Sequence, residues 1–569
     1  MNYQKRTHKC DELRSKNSGQ EVVLNGWVKK IREHGNVTFI DLNDRFGITQ
    51  TIINSDDFND SNISLNDVIW VKGKVKKRPE PNDEIKTGDI EIDVTDFGII
   101  NKSKPSPIDD NANLETKLEY RFLDLRNKNN MNKIIKRHQI INFVRDYFNK
   151  NNFLEIETPL LMKSTPEGAR DYIVPSRVNK GKFYALPQSP QLYKQILMIS
   201  GFDRYFQVAK CLRDEDLRKD RQPEHTQFDF EMSFVDSSDI RNFVEDLFKD
   251  LFKEFLDIKL DDFSILTYDE SMKNYGTDKP DLRYDLKLSN FTEVGNNSDF
   301  NIFKNADSIR GIAVNEDFSR NEIDELTDVV KEMGAKGLAY VKVNDQKLES
   351  GISKFFKEEE KEEIVKISNI NNGTIFFVAD KDKIVFDSLD KLRRELARKL
   401  NLIDEDKYEF AWIVDFPLFS YDEDEGRWAP EHHMFSMPKK EYLDTFDEKP
   451  GEVKGDLWDL VLNGVELGSG SIRISDPNIQ RRVMNLIGLS NEEAKKRFGF
   501  LLNAYKYGAP VHGGMGLGAD RIIALMLGES DIREVIPFPK NKNAENPMDG
   551  SPSSIDKEQL DELGISLKK

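Results

Sequence analysis

Apolar and polar residues alternate along the first hundred positions. The runs VVLNGWVKKI (22–31), NVTFIDLND (36–44), GITQTIIN (47–54), DVIWVKGKV (67–75) and IEIDVTDFGII (90–100) all show it, separated by turn residues such as Gly26, Gly35, Gly47, Gly73 and Gly88. Period-two alternation puts successive side chains on opposite faces of a strand. Five short strands predict a small β-barrel, and the oligonucleotide-binding (OB) barrel is the commonest five-stranded one. The polar, proline-containing stretch 104–117 then predicts a hinge. Ile134, Ile135, Ile140, Ile141, Val144, Tyr147 and Phe148 recur at helical spacing and predict a helix over 132–150.

Further on, a strand ends at Pro159 and opens into a polar loop. Two apolar strand-like segments, 205–211 and 228–232, frame a densely charged connection. From 280 to 410 the pattern changes. A KEEEKEE run (357–363) predicts a solvated helix face, GAKGLAYVKV (334–343) a strand, and LDKLRRELARKL an amphipathic helix. This predicts an inserted domain. Strands and glycine-rich turns return over 411–555. The predicted organisation is a barrel (1–103), a hinge (104–117), a domain in two parts (118–279 and 411–555) around the insertion (280–410), and a tail (556–569).

The chain has 569 residues, 38% apolar and 33% charged, which predicts a folded chain of several domains. No apolar run is long enough to span a membrane, and the N-terminus has no apolar signal core. With two distant cysteines, Cys10 and Cys211, this predicts a cytoplasmic protein without membrane contact. A net charge of −18 describes the whole surface and leaves room for local basic patches.

Candidate chemistry concentrates in a few places. The loop at 213–224 holds Arg213, Asp214, Glu215, Asp216, Arg218, Asp220, Arg221, Gln222 and Glu224. It is either a solvated set of mutual ion pairs or a grip for a polyanion. GGMGLGADR (513–521) is neither a P-loop nor a dinucleotide fingerprint. Its glycines let backbone approach a ligand, and Arg521 opposes the dipole of the helix that follows. That cation meets either an anionic ligand or Glu529 or Asp531. Asp459 and Glu466 lie seven apart, on opposite faces of a flat strand unless the Asn463-Gly464 turn or a bulge intervenes. If they converge beside a triphosphate, they make a magnesium site. Arg473 follows. Gln188, Ser189, Gln191 and Lys194 form a polar cluster entering a helix, and His432-His433 are too divergent for a metal pair. In the barrel, Arg32, His34, Phe39 and Gln50 stand near Lys72, Lys74, Lys76, Lys77 and Arg78, a pattern suited to single-stranded nucleic acid. Phe39 could equally be core.

Together these pieces resemble the class II aminoacyl-tRNA synthetases of subclass IIb. FLEIETPLLMKSTPEGARDY resembles their first motif, FQVAKCLRDEDLRKDRQPEHTQFDFE the second and GMGLGADRIIALMLG the third. STPEGARDY, QSPQLYKQ, RDEDLRKDRQPEHTQ, GVELGSGSIR and the N-terminal barrel are together similar to the bacterial-type aspartyl-tRNA synthetases. The resemblance implies a multidomain α+β fold: an OB-type barrel, a catalytic domain on an antiparallel sheet, and an inserted α/β domain of the GAD type. It implies a homodimer that activates L-aspartate with ATP and Mg2+ and charges tRNA(Asp), with tRNA(Asn) as a second substrate in the alternative reading.

By position, the resemblance assigns ATP to Arg213, Asp214, Glu215, Gln222, Glu466, Gly518, Ala519, Asp520 and Arg521. It assigns aspartate to Glu167, Gln191, Leu192, Tyr193, Lys194, Arg213, His432 and Arg473. It gives Mg2+ to Asp459 and Glu466, catalysis to Arg213, Arg521 and Glu466, and the anticodon to Arg32, His34, Phe39 and Gln50. On this reading Arg473 and Lys194 would be left as two unpaired buried cations if asparagine bound, and Arg473→Leu would abolish activation while leaving the fold intact.

Overall fold

The structure is a computed structural model describing residues 3–109, 111–165 and 169–568. The chain forms two compact units, 1–127 and 128–569.

In the first unit, five strands close into a barrel: Glu21–His34, Val37–Asn43, Ile48–Asn54, Val68–Lys77 and Ile90–Asn101, ordered first, second, third, fifth, fourth. Closure leaves no long free edge. Within Val37–Asn43 the buried side chains are Thr38, Ile40 and Leu42. Phe39 therefore stands on the outer face, opposite Arg32 across the ladder, and is not part of the core. A helix, Ser55–Ser61, links the third and fourth strands and is capped by Asn54, whose side chain accepts from the Asp56 amide. Its seven residues are too few to show a helical period in the sequence.

In the second unit, eight strands form one sheet. Their order is Ser264–Thr267, Phe410–Val414, Leu457–Leu462, Val465–Ile472, His512–Gly518, Glu224–Ser233, Arg204–Leu212 and Leu154–Glu155. The inner six pair antiparallel; each outermost strand joins parallel. Helices Lys128–Lys150 and Ser237–Leu256 cover one face. Ile140, Val144 and Phe148 of the first, with Val244 and Phe248 of the second, bury against Phe206, Phe230 and Trp412 of the sheet. Each such side chain stabilises the fold by roughly 1.5–3 kcal/mol. The opposite face of the sheet is left for the cleft described below.

A second sheet, five antiparallel strands, lies within 288–380, ordered Leu288–Asn290, Ser308–Val314, Gly373–Asp380, Ala339–Asn344 and Lys347–Glu349. Arg320–Lys331 and Asp382–Lys399 pack on one face through Leu326, Val330, Leu389 and Leu392; Glu358–Ser368 packs on the other through Ile364. The acidic run is thus one face of a helix whose other face is core. Fully buried Arg393 donates to the carbonyls of Asp281, Tyr284 and Leu286, and so straps the segment entering this sheet onto the helix Asp382–Lys399.

Candidate active site

A cleft of about 530 Å³ opens on the free face of the large sheet. Its walls come from the 213–222 loop, the helix Gln191–Ile199, the segment 431–436, the hairpin 457–472 and the strand His512–Gly518.

Four buried charges form its floor. Lys194 lies 3.0 Å from Asp229 and 3.2 Å from Glu231. Arg473 lies 2.9 Å from Glu231 through Nε and 3.3 Å through Nη2. All five N–H groups of Arg473 have acceptors, the others being Ser471 Oγ and His433 Nε2 for Nη1 and the Gly514 carbonyl for Nη2. The expectation of two uncompensated cations is therefore corrected: both are neutralised by carboxylates. Burial pushes Asp229 up to about 6 in spite of Lys194. Burial works the same way on Glu231, but Arg473 and Lys194 hold it below the ordinary carboxylate range. Asp229 and Glu231 were missed in the sequence. Their signal was two acids at i and i+2, on one face of an otherwise apolar strand.

The glycines of the neighbouring strand make room for this floor. A Cβ at Gly514 would sit 2.2 Å from Glu231 Oε2, and one at Gly516 would sit 2.0 Å from Gln227 Nε2. These two glycines make room for the protein's own side chains, and Gly516 also lines the cleft.

At the other end, Asn463 (φ 50°) and Gly464 (φ 81°) form the left-handed pair that tight hairpins need. A bulge displaces the register at Leu460/Val461. Turn and bulge together bring Asp459 and Glu466 to one face, so the convergence left open by their spacing occurs. Burial and Glu466 raise Asp459 well above the usual carboxylate range. Burial would raise Glu466 too, but Lys279 and Arg521 hold it down. Lys279 Nζ is 3.1 Å from Glu466, and Asp459 Oδ1 is buried without a hydrogen-bond partner. A convergent carboxylate pair with one orphaned oxygen fits a divalent cation. Lys279, a single lysine next to a proline, gave no signal in the sequence.

Arg213 lines the cleft half-buried, with no side-chain hydrogen bond or ion pair among the described residues. Arg521 reaches Asp220 (3.2 Å) and the Glu466 carbonyl (3.0 Å); its partner is neither Glu529 nor Asp531. The 213–224 loop contains one of the expected mutual pairs, Arg221 with Glu215 at 2.9 Å. His225 sits at the loop's end, where burial and then Arg213 and Arg521 lower it to about 3, so its imidazole is neutral. Burial likewise takes His432 down to about 4 and, with Arg473, His433 well below its ordinary value. His432 faces Asp459 at 3.8 Å, while His433 holds Arg473.

Of the residues expected to form the site, the cleft gathers Gln191, Lys194, Arg213, Glu215, Gln222, His432, Asp459, Glu466, Arg473, Gly518, Asp520 and Arg521. Others are placed elsewhere. Leu192 is core, and Tyr193 packs at a tilt against Phe500. Ala519 is fully buried, and Asp214 turns toward Arg170. Asp520 reaches the cleft, but its carboxylate is bound by Arg137 and the Thr226 amide, and the Gln222 amide is held by the backbone of Lys540. Both act as braces. Glu167 lies outside the described residues. In the barrel, Arg32 grips Asp41 in bidentate fashion (2.8 and 2.6 Å) and reaches Gln50, which donates to Glu91, while His34 is exposed near a hairpin tip.

Residues 113–542 match the family described as tRNA synthetases class II (D, K and N), and residues 22–100 match the OB-fold nucleic acid binding domain. An aspartate--tRNA(Asp/Asn) ligase of Caldanaerobacter subterraneus is 48% identical, covering 99% of this chain and 98% of its own. The aspartate--tRNA ligase of Ruminiclostridium cellulolyticum is 46% identical over 99% and 98%. The asparaginyl-tRNA synthetase of Pyrococcus horikoshii, solved with asparaginyl-adenylate, shares the fold at a TM-score of 0.57 and 18% identity, over 94% of this chain and 97% of that one. A cleft built on an antiparallel sheet, an OB barrel ahead of it and identity along the whole length lead to one conclusion: the chain belongs to the class II tRNA synthetases (D, K and N) and, within them, to the aspartate–tRNA ligases.

Proposed function

We propose that the chain activates L-aspartate with ATP and then transfers it to the 3′ end of tRNA(Asp). One observation carries this reading: a single cleft joins a four-charge floor, suited to a small charged amino acid, to an uncommitted arginine and a carboxylate pair suited to a nucleotide.

In the first step an oxygen of the aspartate α-carboxylate bonds to the α-phosphorus of ATP, and pyrophosphate leaves. The carboxylate is ionised at neutral pH, so no general base is required. The work is positioning and charge neutralisation. Arg213, with no side-chain partner among the described residues, neutralises the α-phosphate, and Arg521 the far end of the triphosphate. Both partners of Arg473 Nη1, Ser471 and His433, line the cleft, so Nη1 is the end that the substrate's side-chain carboxylate reaches by displacing one of them. Asparagine would bring no charge to exchange there, and this supports discrimination against it. Lys194 acts with Asp229 and Glu231 to hold the floor. Asp459 and Glu466 would hold a Mg2+ ion, which supplies charge neutralisation at phosphate oxygens when bound. In the second step a ribose hydroxyl of the terminal adenosine attacks the anhydride carbonyl, and AMP leaves.

Arg32, Phe39 and exposed His34 form the proposed anticodon surface, with an aromatic ring beside a cation for stacking, and Gln50, 4% exposed, supports Arg32 from beneath. A second reading adds tRNA(Asn), because relatives in Caldanaerobacter and Treponema denticola are named for both tRNAs. We further propose a cytoplasmic homodimer. Leu154, Leu160 and Leu161, around Pro159, are each about half exposed, an apolar patch that a partner copy would cover. Among the described residues, no helix is long and apolar enough to cross a membrane. Aspartate-dependent ATP–pyrophosphate exchange, followed by charging of both tRNAs, tests the proposal. Exchange that responds to asparagine or lysine instead would overturn it.

A further inference from the structure

Lys279 has no part in the reaction just derived, yet it reaches the cleft from the segment that leads into the second sheet. Its ammonium rests 3.1 Å from Glu466 and 3.5 Å from Asp278. The neighbouring Asp459 is 2% exposed and keeps one oxygen without a hydrogen-bond partner. The segment is held from two sides. Asp281 packs against the hairpin turn at Gly464, where an added Cβ would lie 3.3 Å from the Asp281 Cβ, and Arg393 bonds the carbonyls of Asp281, Tyr284 and Leu286. Arg283 clamps the Asp281 carboxylate in bidentate fashion. An ammonium on a flexible stem is thereby anchored at its base, while its tip is held only by ion pairs to Glu466 and Asp278.

We propose that Lys279 is a resident counter-ion of the Asp459–Glu466 pair, exchanged for a divalent cation when metal-bound nucleotide enters, and that its released ammonium then binds phosphate oxygens. This rests on the reading of Asp459 and Glu466 as the cation pair. The physical basis is charge balance. Buried Asp459 and partly buried Glu466 need compensation before the metal arrives, and a monovalent ammonium at one of them leaves more readily than an arginine fork. A divalent ion takes over that role and frees Lys279 as the polyanion arrives.

The test uses the full chain. Mn2+ binding to the nucleotide-free protein is read by electron paramagnetic resonance for the wild type, Lys279→Met and Lys279→Arg. Lys279→Met should bind Mn2+ at least tenfold more tightly than the wild type, and Lys279→Arg should not. In exchange assays Lys279→Met should need less Mg2+ for half-maximal rate while its maximal rate falls at least tenfold. In the wild type, labelling of the Lys279 amine, read by mass spectrometry, should rise when Mn2+ binds alone and fall again when a non-hydrolysable ATP analogue joins it; this arm decides the matter should Lys279→Met not fold. Unchanged Mn2+ affinity in folded Lys279→Met, or unchanged wild-type labelling, overturns the exchange. Mn2+ that binds the wild type with the analogue and is lost in Glu466→Gln would keep the cation pair even then. Loss of neither kind would remove both.

Discussion

Arg473 and Glu231 form an ion pair sealed from water, with contacts of 2.9 and 3.3 Å between residues that are each 3% exposed or less. The pair ties the end of the hairpin 457–472 to the strand beside the glycine run. It makes Arg473 a structural residue as well as a binding one. Arg473→Leu should therefore abolish aspartate-dependent exchange and also destabilise the protein by about 3–5 kcal/mol, because buried Glu231 would keep only Lys194, which it shares with Asp229. The simpler expectation of an intact fold is replaced. In urea unfolding, the double variant Arg473→Leu, Glu231→Leu should recover most of that loss while exchange stays absent.

Arg213 is the opposite case. With no side-chain partner among the described residues, its removal exposes no orphaned group. Arg213→Ala should lower exchange at least a hundredfold and change stability by no more than about 0.5 kcal/mol. A thermal melt beside the exchange assay checks both. A large drop in melting temperature would mean that Arg213 has a structural role.

Acid should act first through the buried imidazoles. His225 and His432 sit at about 3 and about 4 in the folded chain, below the ordinary 6.5. As pH falls from 6.5 toward 4 the unfolded chain takes up these protons and the folded chain does not, so stability falls across that window. Asp229, raised to about 6, works in the opposite sense between pH 3.8 and 6 and offsets roughly 3 kcal/mol. His225→Phe should flatten the pH dependence of the urea midpoint between pH 4.5 and 7. An unchanged slope would show that the imidazole does not stay neutral.

Arg32→Ala in the barrel should separate recognition from chemistry. The variant loses its bonds to Asp41 and Gln50, all within the first unit. Exchange should be unchanged, while kcat/KM for tRNA charging falls at least tenfold. Equal losses in the two assays would rule out a role confined to the tRNA.

What could be read beforehand followed from local rules. Alternation marked all five barrel strands, because a closed barrel has one buried face per strand. It could not say which face Phe39 took, since that depends on a register set by residues 32 and 52. Lys194 was legible as a charge entering an apolar helix, Arg213 as part of a densely charged loop and Arg473 as an arginine just after a strand. Their partners were harder to see. Asp229 meets Lys194 where the helix Gln191–Ile199 packs on the sheet, and Glu231 meets Arg473 through sheet order, across 35 and 242 positions. Lys279 meets Glu466 because the chain leaves the large sheet, builds a second one and returns. Asp520 and Gln222 carried the right chemistry, and packing made them braces.

Gly514 and Gly516 show how little space separates the floor from its support. The atom that any larger residue would add falls where Glu231 and Gln227 already lie. An alanine at 516 would drive the Gln227 amide aside, and one at 514 would strike the Phe230 carbonyl as well as the Glu231 carboxylate. The depth of the pocket is thus set from beneath, by a strand that contributes hydrogens where others contribute side chains.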